Sequence, residues 1–197
     1  SIHYHDKEVE FMSNKIWGII LAISLILVGV SAFNVISIYG EYKKGMDEYT
    51  ELEEYVTVEE TAETETVQEE EPEEVKEYQI PLKVDVRYEV LESINDDFVS
   101  WIYYEPLEIS YPVVRGNDND YYTEVTFEGT ENTSGAIFMD FLNKPDYSNY
   151  NTIIYGHNMK NATMFGTLAK YKEQANYDAH PIAYFLTPNG NFIIELF

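Results

Sequence analysis

Three patterns of hydrophobic and polar positions follow one another along the chain, and each predicts a different kind of structure. Ile16–Tyr39 is an apolar run of 24 residues without a charge, which as a helix measures about 36 Å and can cross a bilayer. Thr57–Glu74 has almost no large apolar side chain, which predicts a disordered, self-repelling segment. From Tyr78 onwards, short apolar runs alternate with turn residues, a pattern typical of a small β-barrel.

These patterns divide the chain into four segments. We predict an N-terminal cytoplasmic segment at 1–15, a transmembrane signal-anchor helix at 16–39, an acidic disordered stalk at 40–77 and a folded domain at 78–197. A cleaved signal peptide is the alternative for the apolar run, but its apolar region is usually shorter and ends in small residues. Lysines flank both ends of the run, so the positive-inside rule leaves its orientation open.

Within the folded domain, the periodicity predicts two helices and about six strands. Apolar residues at helical spacing favour a helix over Tyr88–Phe98. A short helix capped by Thr163 is expected to carry Met164, Leu168 and Tyr171 on its apolar face. The predicted strands are Val99–Tyr103, Ile109–Val114, Gly135–Phe141, Thr152–Ile154, Pro181–Thr187 and Asn191–Phe197, the last two joined by an Asn-Gly hairpin turn.

The charge distribution changes the picture of possible partners. The formal net charge is −24, and residues 41–77 hold 16 acidic residues against 3 lysines. Nucleic acid is excluded as a partner, because phosphate contacts need clustered Lys and Arg. A calcium site in the acidic tract is an alternative, but no ordered ligand loop is visible there. The absence of cysteine excludes disulfides and thiolate metal sites.

The most informative candidate for chemistry is His157, which follows a predicted strand and the pair Tyr155-Gly156. A histidine at the rim of a core reaches both solvent and substrate, and imidazole titrates near neutral pH, which suits proton transfer. The alternative is a histidine that only hydrogen-bonds a turn. Asp140 and Asp178 are acidic residues that could pair with a histidine.

The other histidines do not form a recognisable metal site. His180 precedes Pro181 at a strand entrance and is interpreted as structural, while His3 and His5 fall in an N-terminal segment expected to be disordered. The sequence around His157 is not a zinc motif. We therefore predict no metal and no cofactor.

The segment Tyr155–Met159 (YGHNM), followed by Met164-Phe165-Gly166, resembles the histidine segment of the class B sortases. These are cysteine transpeptidases that attach surface proteins to the Gram-positive cell wall. The resemblance runs from Leu91 to the C-terminus in the family's order and includes Ile94-Asn95, Trp101-Ile102, Ile109–Val114 (ISYPVV), Gly135–Asp140 (GAIFMD) and Tyr171.

The resemblance implies a mainly β fold, the sortase-type eight-stranded β-barrel with N-terminal helices, here lacking about the last two strands. It implies cleavage of a sorting signal at a Thr peptide bond and transfer to a peptidoglycan amine through a Cys thioester, with His157 as general acid and base. Asn119, Tyr122 and Tyr155 match positions that line the family's substrate groove. Their alternative roles are turn chemistry for Asn119 and barrel packing for the tyrosines.

The implied partners are surface proteins with a C-terminal sorting signal, the peptidoglycan precursor amine and the membrane, with no nucleic acid. The implied location is the cell membrane, as a single-pass protein with an extracellular catalytic domain. The sorting signal of this family is of the Asn-Pro-x-Thr type.

The nucleophile and the arginine of the family reaction are missing from this sequence. There is no cysteine, the only arginines are Arg87 and Arg115, and no serine follows Ser148. Arg87 lies before the barrel and Arg115 follows the YPVV strand, so neither matches the catalytic arginine. We expect a C-terminally truncated sortase that is inactive as written. The alternatives are a non-catalytic, membrane-anchored peptide-binding module and a scaffold that acts through the acidic stalk.

Overall fold

The computed structural model describes residues 2–60, 82–179 and 182–195, and the chain contains two compact units, Ser1–Lys43 and Lys44–Phe197. The helices are α1 (Ile2–Glu53), α2 (Tyr88–Ile94) and α3 (Gln174–Ala179), with 3-10 helices at Glu105–Leu107, Tyr121–Thr123 and Gly166–Lys172. The strands are β1 (Val56–Glu60), β2 (Leu82–Val86), β3 (Phe98–Tyr104), β4 (Ile109–Val114), β5 (Ile137–Met139), β6 (Ile154–Tyr155), β7 (Ile182–Thr187) and β8 (Gly190–Glu195).

Helix α1 contains the predicted apolar run. By length and composition, the part within Ile16–Glu53 is able to cross a membrane. Its large apolar side chains are exposed, with Trp17 at 66% and Phe33 at 72%. A helix that is hydrophobic all round is typical of a lipid environment, because water would solvate these side chains poorly.

The second unit is built on a six-stranded sheet in the order β6-β5-β4-β3-β7-β8. All neighbours are antiparallel except β4 and β5, which run parallel with Val114 opposite Phe138. The sheet curls into a half-barrel. A separate two-stranded sheet pairs β1 with β2. The site described below lies at the β6 edge of the large sheet.

The centre of this unit is the pair β3 and β4. Both strands are rich in aromatic and β-branched residues, which pack well on a pleated surface. Trp101 and Val113 have no exposed surface, and the Trp101 indole N–H donates to the Ser110 hydroxyl over 3.1 Å. Side chains on both faces of these strands are buried, so β3 and β4 hold the core while the edge strands carry the exposed positions.

Several predicted elements have different bounds in the structure. The helix predicted over Tyr88–Phe98 ends at Ile94, because Asn95 is extended and its side chain accepts the Asp97 N–H at 2.8 Å. This local turn releases Phe98 into β3. The strand predicted at Thr152–Ile154 is wrong in its bounds: the strand is Ile154–Tyr155, it is half-buried, and it lies at the sheet edge.

The helix predicted after Thr163 is also wrong in type and in its cap. A 3-10 helix runs over Gly166–Lys172, and the Thr163 hydroxyl donates to Asn161 at 2.8 Å instead of capping a helix. Met164 is buried before that helix begins, at a backbone φ of 54°, and Leu168 is 42% exposed. The turn around Asn161 therefore determines the local backbone, and the apolar spacing after Thr163 does not reflect a helix.

The compact unit begins well before Tyr78, where the folded domain was predicted to start. Tyr49 and Leu52 at the end of α1 are buried in its core, and β1 lies within the predicted stalk. Stalk residues 61–77 and the first residues of the predicted domain, 78–81, lie outside the described residues, as do Pro181, Leu196 and Phe197 of the two predicted C-terminal strands. Between those strands the Asn-Gly turn is confirmed, with Gly190 at a φ of 135° and opposite Thr187.

Candidate active site

Strand β6 carries the candidate histidine to the mouth of a pocket. Tyr155 pairs with Phe138 of β5, and the two rings lie 5.1 Å apart. The chain then leaves the sheet through Gly156 and places His157 beside this pair. The pocket has a volume of about 300 Å³ and is lined by Asn119, Thr123, Phe138, Tyr155, Gly156 and His157.

The imidazole of His157 is fixed through one of its two nitrogens. Nε2 lies 2.7 Å from the carbonyl oxygen of Thr123. Because a carbonyl only accepts, Nε2 carries a proton and donates it to this bond. The ring is half-buried, and within the described part of the chain Nδ1 has no hydrogen-bond partner. In the neutral imidazole, Nδ1 is therefore the nitrogen that exchanges a proton with a bound molecule.

Gly156 sets the path of the backbone into this site. A Cβ at this position would clash with Cδ1 of Ile137 and lie 2.7 Å from the Phe165 ring. Such contacts are too close for any side chain. The Phe165 N–H also donates to the His157 carbonyl at 2.9 Å. The glycine thus permits β6 to pass close to the core, and the Phe165 contact holds the backbone of His157 from the other side.

Asp140 holds two of the residues that line the pocket, Asn119 and Tyr155. Its Oδ2 accepts hydrogen bonds from the Asn119 side-chain amide and from the Tyr155 hydroxyl, both at 2.9 Å. Its Oδ1 accepts the Leu142 N–H at 2.9 Å, and the Phe141 N–H donates to Asn119 at 3.0 Å. These bonds determine which way the Asn119 amide faces.

The same hydrogen bonds shift the pKa values of Asp140 and Tyr155. The Leu142 N–H, followed by Asn119, lowers the pKa of Asp140 below its ordinary range. The hydrogen bond to Asp140 raises the pKa of Tyr155. Near neutral pH the pair is therefore a carboxylate that accepts and a phenol that donates, which leaves the phenolic oxygen able to accept from a ligand.

The structure brings together three of the four residues predicted from the sequence. Asn119, Tyr155 and His157 share the pocket, while the side chain of Tyr122 does not. Tyr122 is 3% exposed, and its hydroxyl donates to Asp97 at 2.9 Å and accepts from Asn95 at 3.1 Å. Burial raises the pKa of Tyr122, so this phenol remains a neutral member of a structural network.

The two acidic residues considered as histidine partners have other partners. Asp140 binds Asn119 and Tyr155, and Asp178 accepts from Gln174 at 2.8 Å. The partner of His157 is instead the backbone carbonyl of Thr123. A main-chain acceptor has no signature in the residue types, so sequence reasoning had no signal that could identify it.

Both arginines are engaged away from the pocket. Arg115 donates to the carbonyl oxygens of Phe141 and Asn143, each at 2.6 Å, and holds the loop that follows β5. The Arg87 guanidinium lies 5.3 Å from the centre of the Tyr55 ring. Within residues 2–60, 82–179 and 182–195, no group of three or more His, Asp or Glu side chains is placed to hold a metal ion.

Two curated relatives share a substantial part of the sequence. Sortase B of Staphylococcus aureus is 39% identical over 111 residues, which cover 56% of this chain and 46% of that protein. Sortase B of Listeria monocytogenes is 37% identical over 107 residues, which cover 54% of this chain and 44% of that protein. The chain thus spans about half the length of the curated relatives it matches. No protein-family model matches the chain.

The fold is similar to a solved sortase B from Bacillus anthracis, with a TM-score of 0.62 and 29% identity, over 80% of this chain and 68% of that one. The curled, mainly β sheet is similar to a sortase-type domain, and the predicted fold class is confirmed. The sequence matches define the class more narrowly. In both sequence and fold, the chain is similar to the class B sortases.

Proposed function

We propose that this chain supplies the catalytic histidine, His157, and the pocket around it to the active site of a membrane-anchored class B sortase. The observation that supports the proposal most directly is the shared pocket of Asn119, Tyr155 and His157, with Nε2 of His157 held by a carbonyl and Nδ1 open to a ligand. The substrate is a surface protein with a C-terminal sorting signal of the Asn-Pro-x-Thr type. The acceptor is an amine of the peptidoglycan precursor.

The proposed reaction has two acyl-transfer steps. A cysteine thiolate attacks the carbonyl carbon of the Thr peptide bond, the C–S bond forms, and the C–N bond breaks as His157 gives a proton to the leaving amine. The precursor amine then attacks the thioester, gives its proton to His157 and releases the thiolate. His157 therefore loses one proton in the first step and regains one in the second.

The pocket residues have distinct proposed roles in binding. Asn119 uses one N–H for Asp140 and has a second N–H for a substrate carbonyl, and the Tyr155 oxygen accepts an N–H of the sorting signal. Tyr122 has no direct part in this proposal, because its hydroxyl binds Asp97.

The nucleophile must come from outside these 197 residues, which contain no cysteine. The two arginines hold backbone carbonyls and a tyrosine ring, so an arginine that stabilises the oxyanion must also come from elsewhere. The 197-residue polypeptide alone forms no thioester and is inactive as a transpeptidase. Its proposed location is the cell membrane, with α1 as a single-pass anchor and the sheet-containing unit outside the cell.

The enzymatic role can be tested by completing the chain. Residues 1–195 are fused to the segment of Staphylococcus aureus Sortase B that follows the matched region, and cleavage of a fluorescent sorting peptide is measured. We expect turnover that falls about 10²–10⁴-fold in the His157→Gln variant, the usual share of general acid–base catalysis. His5→Gln is the control. Equal turnover of the His157→Gln variant would contradict the role of His157.

A second candidate function is a non-catalytic peptide-binding module anchored in the membrane. The lack of cysteine in the chain favours it. The fusion separates the two functions: a fusion that binds the sorting peptide and does not cleave it supports the module, whereas His157-dependent cleavage supports the enzyme.

A further inference from the structure

We propose that Glu48 and Tyr49, at the end of α1, are positioning residues for His157. The helix segment 44–53 is then part of the support of the active site and not only a connection to the apolar run. The inference rests on the proposed role of His157 and adds residues that the sortase resemblance does not include.

Tyr49 binds the loop 122–136 from inside the core. The ring is 5% exposed, its hydroxyl donates to the Gly135 carbonyl at 2.6 Å, and it accepts the Phe127 N–H at 3.3 Å. Burial, together with the adjacent Glu48 carboxylate, raises the pKa of Tyr49 well above its ordinary value. The phenol therefore stays protonated and keeps donating to Gly135.

Glu48 binds the same loop at its tip. One carboxylate oxygen accepts the Thr126 hydroxyl at 2.8 Å, and the other accepts the Glu128 N–H at 3.0 Å. Hydrogen bonds to an ionised acceptor are stronger than those between neutral groups. Glu48 and Tyr49 thus fix four groups of one loop, two of them through charge-assisted bonds.

Gly45 shows that the helix and this loop are closely packed. A Cβ at Gly45 would lie 2.7 Å from the Ser134 hydroxyl oxygen and 3.0 Å from the Asn132 side-chain oxygen. Ser134 cannot turn aside freely, because its hydroxyl donates to that same Asn132 oxygen at 2.8 Å. A bare helix surface at Gly45 is therefore required for the contact.

The same loop contains the hydrogen-bond acceptor of the histidine, the Thr123 carbonyl. Its two ends are joined by the Ala136 N–H, which donates to the Tyr122 carbonyl at 2.9 Å. Gly135 has a φ of +55°, and a Cβ there would lie 2.7 Å from the Thr123 carbonyl oxygen. That oxygen is the acceptor for Nε2 of His157. Tyr49 and His157 therefore bind the two neighbouring backbone segments that meet at Gly135.

Loss of either support is expected to move the Thr123 carbonyl. Without the Tyr49 hydroxyl, the Gly135 carbonyl and the Phe127 N–H lose the partner that they share inside the core. Buried backbone groups are rarely left unpaired, so the loop shifts until they find water or another partner. The hydrogen bond from His157 then weakens although neither residue touches the imidazole.

The test follows the His157 ring by NMR in the full chain, held in a lipid nanodisc and isotope-labelled at histidine. In Tyr49→Phe we expect the Nε2 proton of His157 to exchange with water up to about tenfold faster, the factor that corresponds to the loss of roughly one hydrogen bond. Tyr150→Phe is the matched control, because Tyr150 is fully exposed. A folded Tyr49→Phe chain with unchanged His157 signals overturns the role of Tyr49.

Glu48→Ala gives an independent decision if Tyr49→Phe does not fold. Glu51→Ala, an exposed glutamate on the same helix, is its control. The proposal is supported if the His157 signals change in Glu48→Ala and stay as in the original chain in Glu51→Ala. It is overturned if the signals are the same in these two variants. Binding of a sorting peptide is measured in parallel: if no peptide binds and the His157 signals still respond to Glu48 and Tyr49, the proposed function fails and this inference stands.

Discussion

The hydroxyl of Tyr155, which lines the pocket with His157, donates to Oδ2 of Asp140 over 2.9 Å. This bond joins the end of β6 to the residue that follows β5. It also means that the Asp140 carboxylate fixes the orientation of the Tyr155 phenol, which lines the pocket. Four experiments test consequences of this arrangement and of the fold that supports it.

Asp140→Asn should lower the pKa of Tyr155. The hydrogen bond to Asp140 is the main cause of the raised pKa of this phenol, followed by loss of solvation. An amide has no charge to oppose the phenolate, so ionisation becomes easier. The measurement is a pH titration of the tyrosine ring carbon signals by NMR. Asp146→Asn, in the neighbouring loop, is the control. An unchanged Tyr155 titration in Asp140→Asn would show that Asp140 does not determine the pKa of this phenol.

The free energy of unfolding should decrease at acid pH. Backbone N–H groups lower the pKa of Asp118, Asp140 and Asp146 below the ordinary range, which is about 3.9 for Asp. A lowered folded-state pKa gives stability that is present above the unfolded pKa and is lost as pH falls through the folded pKa.

Urea unfolding of residues 44–197 at a series of pH values checks this. The loss should begin near pH 4 and continue below it, and it should be shallower in Asp140→Asn. Such carboxylates take up protons between about pH 5 and pH 2. A free energy of unfolding that stays constant over this range would contradict the lowered pKa values of the three aspartates.

Gly156→Ala should destabilise the protein and disturb His157. The added methyl group would overlap Ile137 and Phe165, and overpacking of this kind costs about 1–3 kcal/mol. Gly40→Ala is the control, because a Cβ at Gly40 meets nothing within 4 Å. Thermal unfolding and the His157 ring signals are the measurements. A Gly156→Ala chain with the original stability would show that β6 does not need this close approach.

The chain should stay in the membrane fraction after an alkaline carbonate wash. The run Ile16–Tyr39 of α1 is uncharged and long enough to cross a bilayer, and its large side chains are exposed. The control is the same protein from which residues 1–43 have been removed, which should be released. Release of the full chain, or a mature form that starts beyond Ala32, would instead support a cleaved signal peptide.

The parts of the fold that the sequence predicts well are those whose cause is local. Strand β4 has its predicted bounds because Ile109–Val114 is apolar apart from Ser110. The hairpin of β7 and β8 follows from the Asn-Gly turn. The end of α2 was missed because a single Asn95 side chain stops the helix, although the apolar spacing continues to Phe98.

The parts that the sequence does not reveal depend on contacts between distant segments. Tyr49 belongs to the core because it meets Gly135, and no local pattern at the end of an apolar helix indicates that contact. The Thr123 carbonyl was invisible for a similar reason, since its role comes from its position and not from its side chain. The histidine itself was identified through its neighbours, which resemble a known motif.

The most direct test of the account is a titration of the full chain in a nanodisc with an Asn-Pro-x-Thr peptide, followed through the ring signals of its histidines. We predict a saturable shift at His157 and no shift at His3 or His5, because His157 lies in the pocket with Asn119 and Tyr155. A peptide with the same residues in scrambled order should have no effect. Saturable binding that leaves the His157 signals in place, or no saturable binding at all, would contradict the assignment of this pocket to the sorting signal.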